Sequence, residues 1–179
     1  MIEDLLRETI GMDVSSVGKG KIDADIGACM RRLGIVSRDG YEKLLRNSPD
    51  ELARLIETVT IPETWFFRVR GSFDALAQRL RELRDCGRAV RILSVPCSTG
   101  EEAYSIVITL FECGYSEGGF RVDAVDVSGV CIEKALSARY TANSFRGVGE
   151  HLQRAYFRRE GKCFYLDERI SRQVNFNRR

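Results

Sequence analysis

Along the first 58 residues, apolar positions recur at helical spacing and are broken by short polar turns. Ile2, Leu5, Leu6 and Ile10 share a face before Gly11; Ile26, Met30, Leu33 and Ile35 form a second stripe; Tyr41, Leu44 and Leu45 mark a third. Ser48-Pro49-Asp50-Glu51 reads as a capping box with proline at the first helical position, followed by Leu52, Leu55, Ile56 and Val59 at helical spacing. This pattern predicts a small helical domain over residues 1–58. Pro62 interrupts it and holds the preceding residue extended, so Thr60 to Arg68 is expected as a loop or linker strand within a connecting segment, residues 59–71. Ser72 is then placed to cap a helix whose stripe is Phe73, Leu76, Leu80 and Leu83, ending near Gly87.

From Ala89 the period changes. Ala89 to Val95 is a continuous strand pattern, a helix from Gly100 carries Tyr104, Ile106, Val107, Leu110 and Phe111, and Phe120 to Val127 is a second strand. Ser128 is placed to cap a further helix carrying Ile132, Ala135 and Leu136 and closed by Tyr140. A short helix over His151 to Phe157, a strand at Cys163 to Leu166 and the start of a third main strand at Val174 to Phe176 complete the pattern. Residues 72–179 therefore read as part of a β-α-β sheet domain, and the fold class is α/β: an all-helical N-terminal domain followed by a partial Rossmann-like domain.

Composition narrows the function classes. A net charge of +2 in 179 residues, 30% of them charged, lacks the basic excess of a nucleic-acid binder. No apolar run approaches the ~18 residues of a membrane span, and the acidic start Met1-Ile2-Glu3-Asp4 is unlike a secretion signal, so a cytoplasmic protein without membrane insertion is expected. The six cysteines contain no Cys-x-x-Cys pair and the single histidine, His151, has none beside it. Reduced thiols and no metal site are the expectation.

The chemistry concentrates where the first strand breaks. Cys97-Ser98-Thr99-Gly100-Glu101-Glu102 places small residues and free helix-start amides at a strand end, the usual position of a ligand in open α/β sheets. Two carboxylates there suit the helix dipole but repel a pyrophosphate, which points to a cationic or hydroxyl-rich ligand. S-adenosylmethionine (SAM), with its sulfonium, ammonium and ribose diol, fits. Asp126 ends the second strand about two dozen residues past the glycine turn, where such folds set an acid on a ribose diol; helix capping is its alternative duty, for which Ser128 is better placed. A nicotinamide cofactor would want Gly-x-Gly-x-x-Gly, and only Gly100 is available here.

Thr60-Ile61-Pro62-Glu63-Thr64-Trp65-Phe66-Phe67-Arg68, followed about thirty residues later by Cys97-Ser98-Thr99-Gly100-Glu101-Glu102-Ala103-Tyr104-Ser105, resembles the paired motifs of the CheR-type chemotaxis receptor methyltransferases. The resemblance implies a SAM-dependent protein-glutamate O-methyltransferase. It places Thr64, Arg68, Gly100, Glu102 and Asp126 against the cofactor, with Arg68 also catalytic, near the transferred methyl and able to hold a carboxylate by paired hydrogen bonds. Glu101 is left to serve the helix start, a purely capping pair being the alternative for both glutamates. Pro62 and Ala103 stand where the family commonly has Asn and Pro. Trp65, Phe66 and Phe67 are expected to wedge the linker between two domains.

The implied partner is the set of cytoplasmic methylation helices of a chemoreceptor, whose acidic side chains Lys19, Lys21, Arg31, Arg32, Lys43 and Arg46 would meet, a merely solvated basic face being the alternative. The family continues past the third strand, so this sequence is expected to hold about half of the sheet. Weak or absent turnover, poor SAM affinity and self-association through the uncovered edge of the first strand are the expected consequences. A non-catalytic receptor-binding or regulatory module with a vestigial half-domain is the alternative reading.

Overall fold

The computed structural model describes residues 1–60, 62–86 and 88–179 and all of their side chains except that of Ser16. Ile61, within the first motif, and the helix end expected at Gly87 lie outside the described residues. The chain divides into two compact units, Met1–Ile61 and Pro62–Arg179.

The first unit is helical: α1 (Ile2–Ile10), α2 (Val14–Val17), α3 (Lys19–Arg32), α4 (Arg38–Asn47) and α5 (Pro49–Val59). The stripes of α1, α4 and α5 are those of the sequence pattern, whereas α3 buries Ile22, Ile26 and Cys29 and stops before Leu33, which is exposed. Only half of the expected capping box forms. Ser48 Oγ accepts the Glu51 amide, but the Glu51 carboxylate turns inward, where it accepts Arg32 Nη2 on both oxygens at 2.6 Å and the Tyr41 hydroxyl at 2.9 Å. A nearly buried carboxylate needs such partners, because its desolvation would otherwise cost several kcal/mol. Three of the six basic residues singled out in this segment are in ion pairs: Lys21 with Asp25, Arg32 with Glu51 and Arg46 with Glu42.

The second unit contains α6 (Arg70–Asp85), β1 (Val90–Ser94), α7 (Glu101–Glu112), β2 (Phe120–Asp126), α8 (Gly129–Ser137), β3 (Arg139–Thr141), a 3₁₀ turn (Ala142–Phe145), α9 (Glu150–Tyr156), β4 (Phe157–Glu160), β5 (Cys163–Leu166), α10 (Glu168–Ser171) and β6 (Val174–Arg178). Strands β1, β2 and β6 form a parallel sheet in the order β1-β2-β6, with Ser94 opposite Ala124 and Asp126 opposite Arg178. Helix α7 is apolar nearly all round, Ala103 to Leu110 being buried throughout, as a helix inside a core must be. A second, antiparallel sheet, β3-β5-β4, was only partly visible in the sequence.

Two helix ends differ from expectation. Helix α8 stops at Ser137 because Ala138 adopts φ +48°, and Tyr140 belongs to β3. Helix α6 begins at Arg70, leaving Ser72 inside its first turn, where the Ser72 amide reaches the Val69 carbonyl. Among the described residues no helix is long and apolar enough to cross a membrane.

Candidate functional site

Parallel pairing brings the carboxyl ends of β1 and β2 side by side, and the chain leaving β1 is fastened to β2. The Cys97 amide donates to the Val125 carbonyl at 2.9 Å, and the Ser98 amide donates to Asp126 Oδ2 at 2.7 Å. The other oxygen, Oδ1, accepts the Ser128 amide at 2.9 Å. Asp126 thus ties the two loops beyond the strand ends together while nearly buried, and a carboxylate with one amide on each oxygen keeps lone pairs for a further donor. It is not the cap of α8. Ser128 takes that duty, its Oγ accepting the Cys131 amide at 3.0 Å.

The turn between them is shaped by two positive φ angles, +48° at Ser98 and +90° at Gly100. Gly100 is required on two counts: the φ itself, and the 2.9 Å at which an added Cβ would meet Ala135 Cβ, with the Tyr140 hydroxyl at 3.1 Å. Its side-chain direction is filled by protein, so any ligand contact here is through backbone. Ser98 Oγ is buried and has no hydrogen-bond partner among the described residues. A hydroxyl left in that state beside an aspartate fits a polar, hydroxyl-bearing ligand at the turn.

Adjacent helical residues point about 100° apart, and the two glutamates diverge accordingly. Glu102 is exposed and accepts Ser94 Oγ at 2.7 Å, which holds it at the end of β1. Glu101 is buried. Its Oε2 accepts Thr99 Oγ1 at 2.6 Å, its Oε1 accepts Ser144 Oγ at 2.9 Å, and its main-chain carbonyl accepts Ser105 Oγ at 2.6 Å. The helix-start role assigned to Glu101 is therefore part of a larger one, a junction between three segments. Cys97 lies in the field of both site carboxylates: burial first, then the charge of Asp126, with Cys131 and Glu102 behind it, pushes its thiol up to about 12.

The Thr64–Arg68 segment joins the same network and forms no strand. The Phe66 amide donates to the Ser144 carbonyl at 2.8 Å and the Phe67 amide to Ser105 Oγ at 3.0 Å. Phe66 is completely buried among Tyr140, Phe145 and Phe157, with ring centroids 4.8 to 5.2 Å away. It is a core anchor of the second unit. Thr64 is half-buried, and Arg68 is exposed, donating to the Glu63 carbonyl and lying 4.8 Å from the Trp65 ring centroid.

The expected site residues fall in two places: Asp126 with the Ser98–Gly100 turn, and the Thr64–Arg68 segment, whose Phe66 amide reaches Glu101 through Ser144. Sequence reasoning missed Ser144 and the place of Tyr140 beside the glycine turn, in a stretch without periodicity; the buried polar role of Glu101 had no signal beyond its place at a helix start. None of the expected site residues lines the cavity of about 580 Å³ bordered by Leu136, Ala138, Tyr156, Arg158 and Tyr165. Among the described residues no cluster of His, Cys, Asp and Glu has the geometry to hold a metal ion.

Known methyltransferases resemble this chain over most of its length. A family model described as "CheR methyltransferase, SAM binding domain" matches residues 62–179. The chain is 46% identical over 178 residues to the "Probable biofilm formation methyltransferase WspC" of Pseudomonas aeruginosa, covering 97% of this chain and 42% of that protein. It is 42% identical over 174 residues to the protein of the same description from Pseudomonas putida, covering 95% and 41%. A "Chemotaxis protein methyltransferase" of Escherichia coli is 34% identical over 136 residues, or 74% of this chain and 46% of that protein. The chain spans less than half the length of these relatives.

Proposed function

The chain belongs to the CheR methyltransferase family, and on that premise we propose that it binds SAM at the ends of β1 and β2 and serves methylation of glutamate carboxylates on a chemoreceptor-type protein. The observation that carries this reading is Asp126, a nearly buried carboxylate at the end of the second strand, held by the Ser98 and Ser128 amides with acceptor capacity to spare. The orphan hydroxyl of Ser98 supports it, since a ribose diol both donates and accepts.

When bound, SAM supplies a methyl group on a cationic sulfur, which keeps the C–S electron pair and leaves as a neutral thioether as the acceptor oxygen forms the new bond. Asp126 would hold the ribose hydroxyls. Glu102, exposed and steadied by Ser94, would hold the cationic part of SAM, and Thr64 would contact it from the other segment. Arg68 holds the acceptor carboxylate through guanidinium hydrogen bonds. A glutamate side chain ionises near 4.3, so at neutral pH it needs no general base, and the work of the chain is positioning.

Calorimetric titration of the 179-residue chain with S-adenosylhomocysteine tests the cofactor assignment. One-site binding weakened at least about tenfold by Asp126→Ala, a loss of ~1.4 kcal/mol, is expected. A chain that keeps its melting transition but shows no saturable binding, or a variant that binds as tightly as the parent, would overturn it. Labelled methyl transfer from SAM to glutamate-bearing receptor fragments tests the acceptor.

A further inference from the structure

Both Arg68 and Arg146 lie over the ring of Trp65, their guanidinium carbons 4.8 and 4.7 Å from its centroid. Two cations that close to one centroid stand within about a Debye length of each other, ~10 Å at 0.1 M salt, and so repel. Neither is neutralised. Among the described residues no carboxylate lies within ion-pair distance of either, whereas elsewhere on this unit Arg121 pairs with Asp123, Arg154 with Glu150 and Arg169 with Asp167. Among the described residues each of the two has one hydrogen bond, from Arg68 to the Glu63 carbonyl and from Arg146 Nε to the Asn143 carbonyl at 3.1 Å. A guanidinium has five N–H donors, so most remain available, and both side chains are exposed.

The arrangement is built rather than incidental. Stacking on indole orders a guanidinium in advance and leaves its donor edge outward. The two backbone segments that carry these groups are joined by the bond from the Phe66 amide to the Ser144 carbonyl, and Ser144 Oγ is fixed in turn by buried Glu101. Two ordered, uncompensated cations that neighbour the proposed methyl-donor turn through one hydrogen-bond network form a receptor for two anionic groups presented together.

We propose that Arg146 is a second substrate-recognising residue, which grips an acidic side chain flanking the glutamate that Arg68 holds. The substrate is then an acidic helical segment, not an isolated glutamate. Acidic residues three or four apart on a helix have Cβ atoms about 5–6 Å apart, so their carboxylates can reach two guanidiniums that share one indole ring. This inference rests on the glutamate-methylation reading above. Arg146 acts on the substrate and not on SAM, which separates it from every residue of the cofactor group.

Trp65 is the only tryptophan in the chain, so its emission reports directly on this cleft. The full chain is titrated with alanine-rich helical peptides bearing two glutamates four positions apart, one glutamate and one glutamine, or two glutamines. The two-glutamate peptide is expected to shift Trp65 emission saturably and to bind at least about tenfold more tightly than the mixed peptide, with the two-glutamine peptide inert. Arg146→Gln should abolish the preference for two glutamates over one while leaving the melting curve and S-adenosylhomocysteine affinity unchanged, and Arg146→Lys should restore it in part. Equal binding of glutamate and glutamine peptides by the parent chain, or an undiminished preference in Arg146→Gln, would overturn the assignment. Failure of the nucleoside titration alone strikes the cofactor reading; failure of the peptide series alone strikes this one.

Discussion

Replacing Glu101 by alanine removes one side chain that three segments share. The carboxylate is buried, with Thr99 Oγ1 on one oxygen at 2.6 Å and Ser144 Oγ on the other at 2.9 Å. Both hydroxyls are themselves buried, so neither gains water as a substitute partner. An unsatisfied buried polar group costs about 1–3 kcal/mol. Loss of the negative charge at the start of α7 adds about 0.3–1 kcal/mol, so with two hydroxyls orphaned Glu101→Ala should lose roughly 2–7 kcal/mol in all. Glutamine preserves the shape and offers an oxygen to one hydroxyl and an amide to the other, which can rotate to accept it; Glu101→Gln should lose only about 1–2 kcal/mol. Urea unfolding followed by Trp65 emission reads the unit directly, and the midpoint should fall at nearly constant slope. An alanine variant within about 1 kcal/mol of the parent, or a glutamine variant as damaged as alanine, would refute the junction role.

Two further outcomes follow from the same region. Gly100→Ala must place a Cβ 2.9 Å from that of Ala135 at a φ of +90°, and strain of this kind costs about 1–3 kcal/mol on top of the overpacking; a thermal melt unchanged from the parent would contradict the close packing. Exposed Cys86 should be alkylated by iodoacetamide at pH 8 while Cys97 is spared, because burial and Asp126 hold its thiol protonated up to about 12. The unfolded chain releases that proton near 8.5, so the folded state is favoured fully below about 8.5 and progressively less as pH climbs toward 12. Cys97→Ala should flatten that alkaline decline, measured as unfolding free energy against pH.

What the sequence made visible is what short-range physics encodes. The helical stripes of the first unit, the β-α-β order, Ser128 as the cap of α8 and Asp126 at a strand end all depend on residues within a turn or two of one another. The antiparallel sheet was harder, because β3 finds its partner β5 across more than twenty residues and has Arg139 and Thr141 flanking a single buried Tyr140, too short for alternation to register. Glu101 and Glu102 are equivalent in sequence; only the packing of α7 against the 3₁₀ turn sends one inward to Ser144 and leaves the other exposed. The arginine pair over Trp65 joins residues about eighty apart along the chain, beyond the reach of any local periodicity.

The loop that carries Cys97 to Gly100 departs from a strand that, among the described residues, pairs with β2 alone. On β1, alternate backbone amides point to β2 and the rest point outward, with Leu93 and Val95 exposed beside them. Deuterium should therefore enter β1 in an every-other-residue rhythm, whereas β2, clasped on both flanks, should stay dark along its length. Ligand at the turn would slow uptake at Ser98 before it slowed any amide of the strand itself, since the Ser98 amide already leans on Asp126. The edge of the sheet is thus also the strand from which the Cys97–Gly100 turn departs.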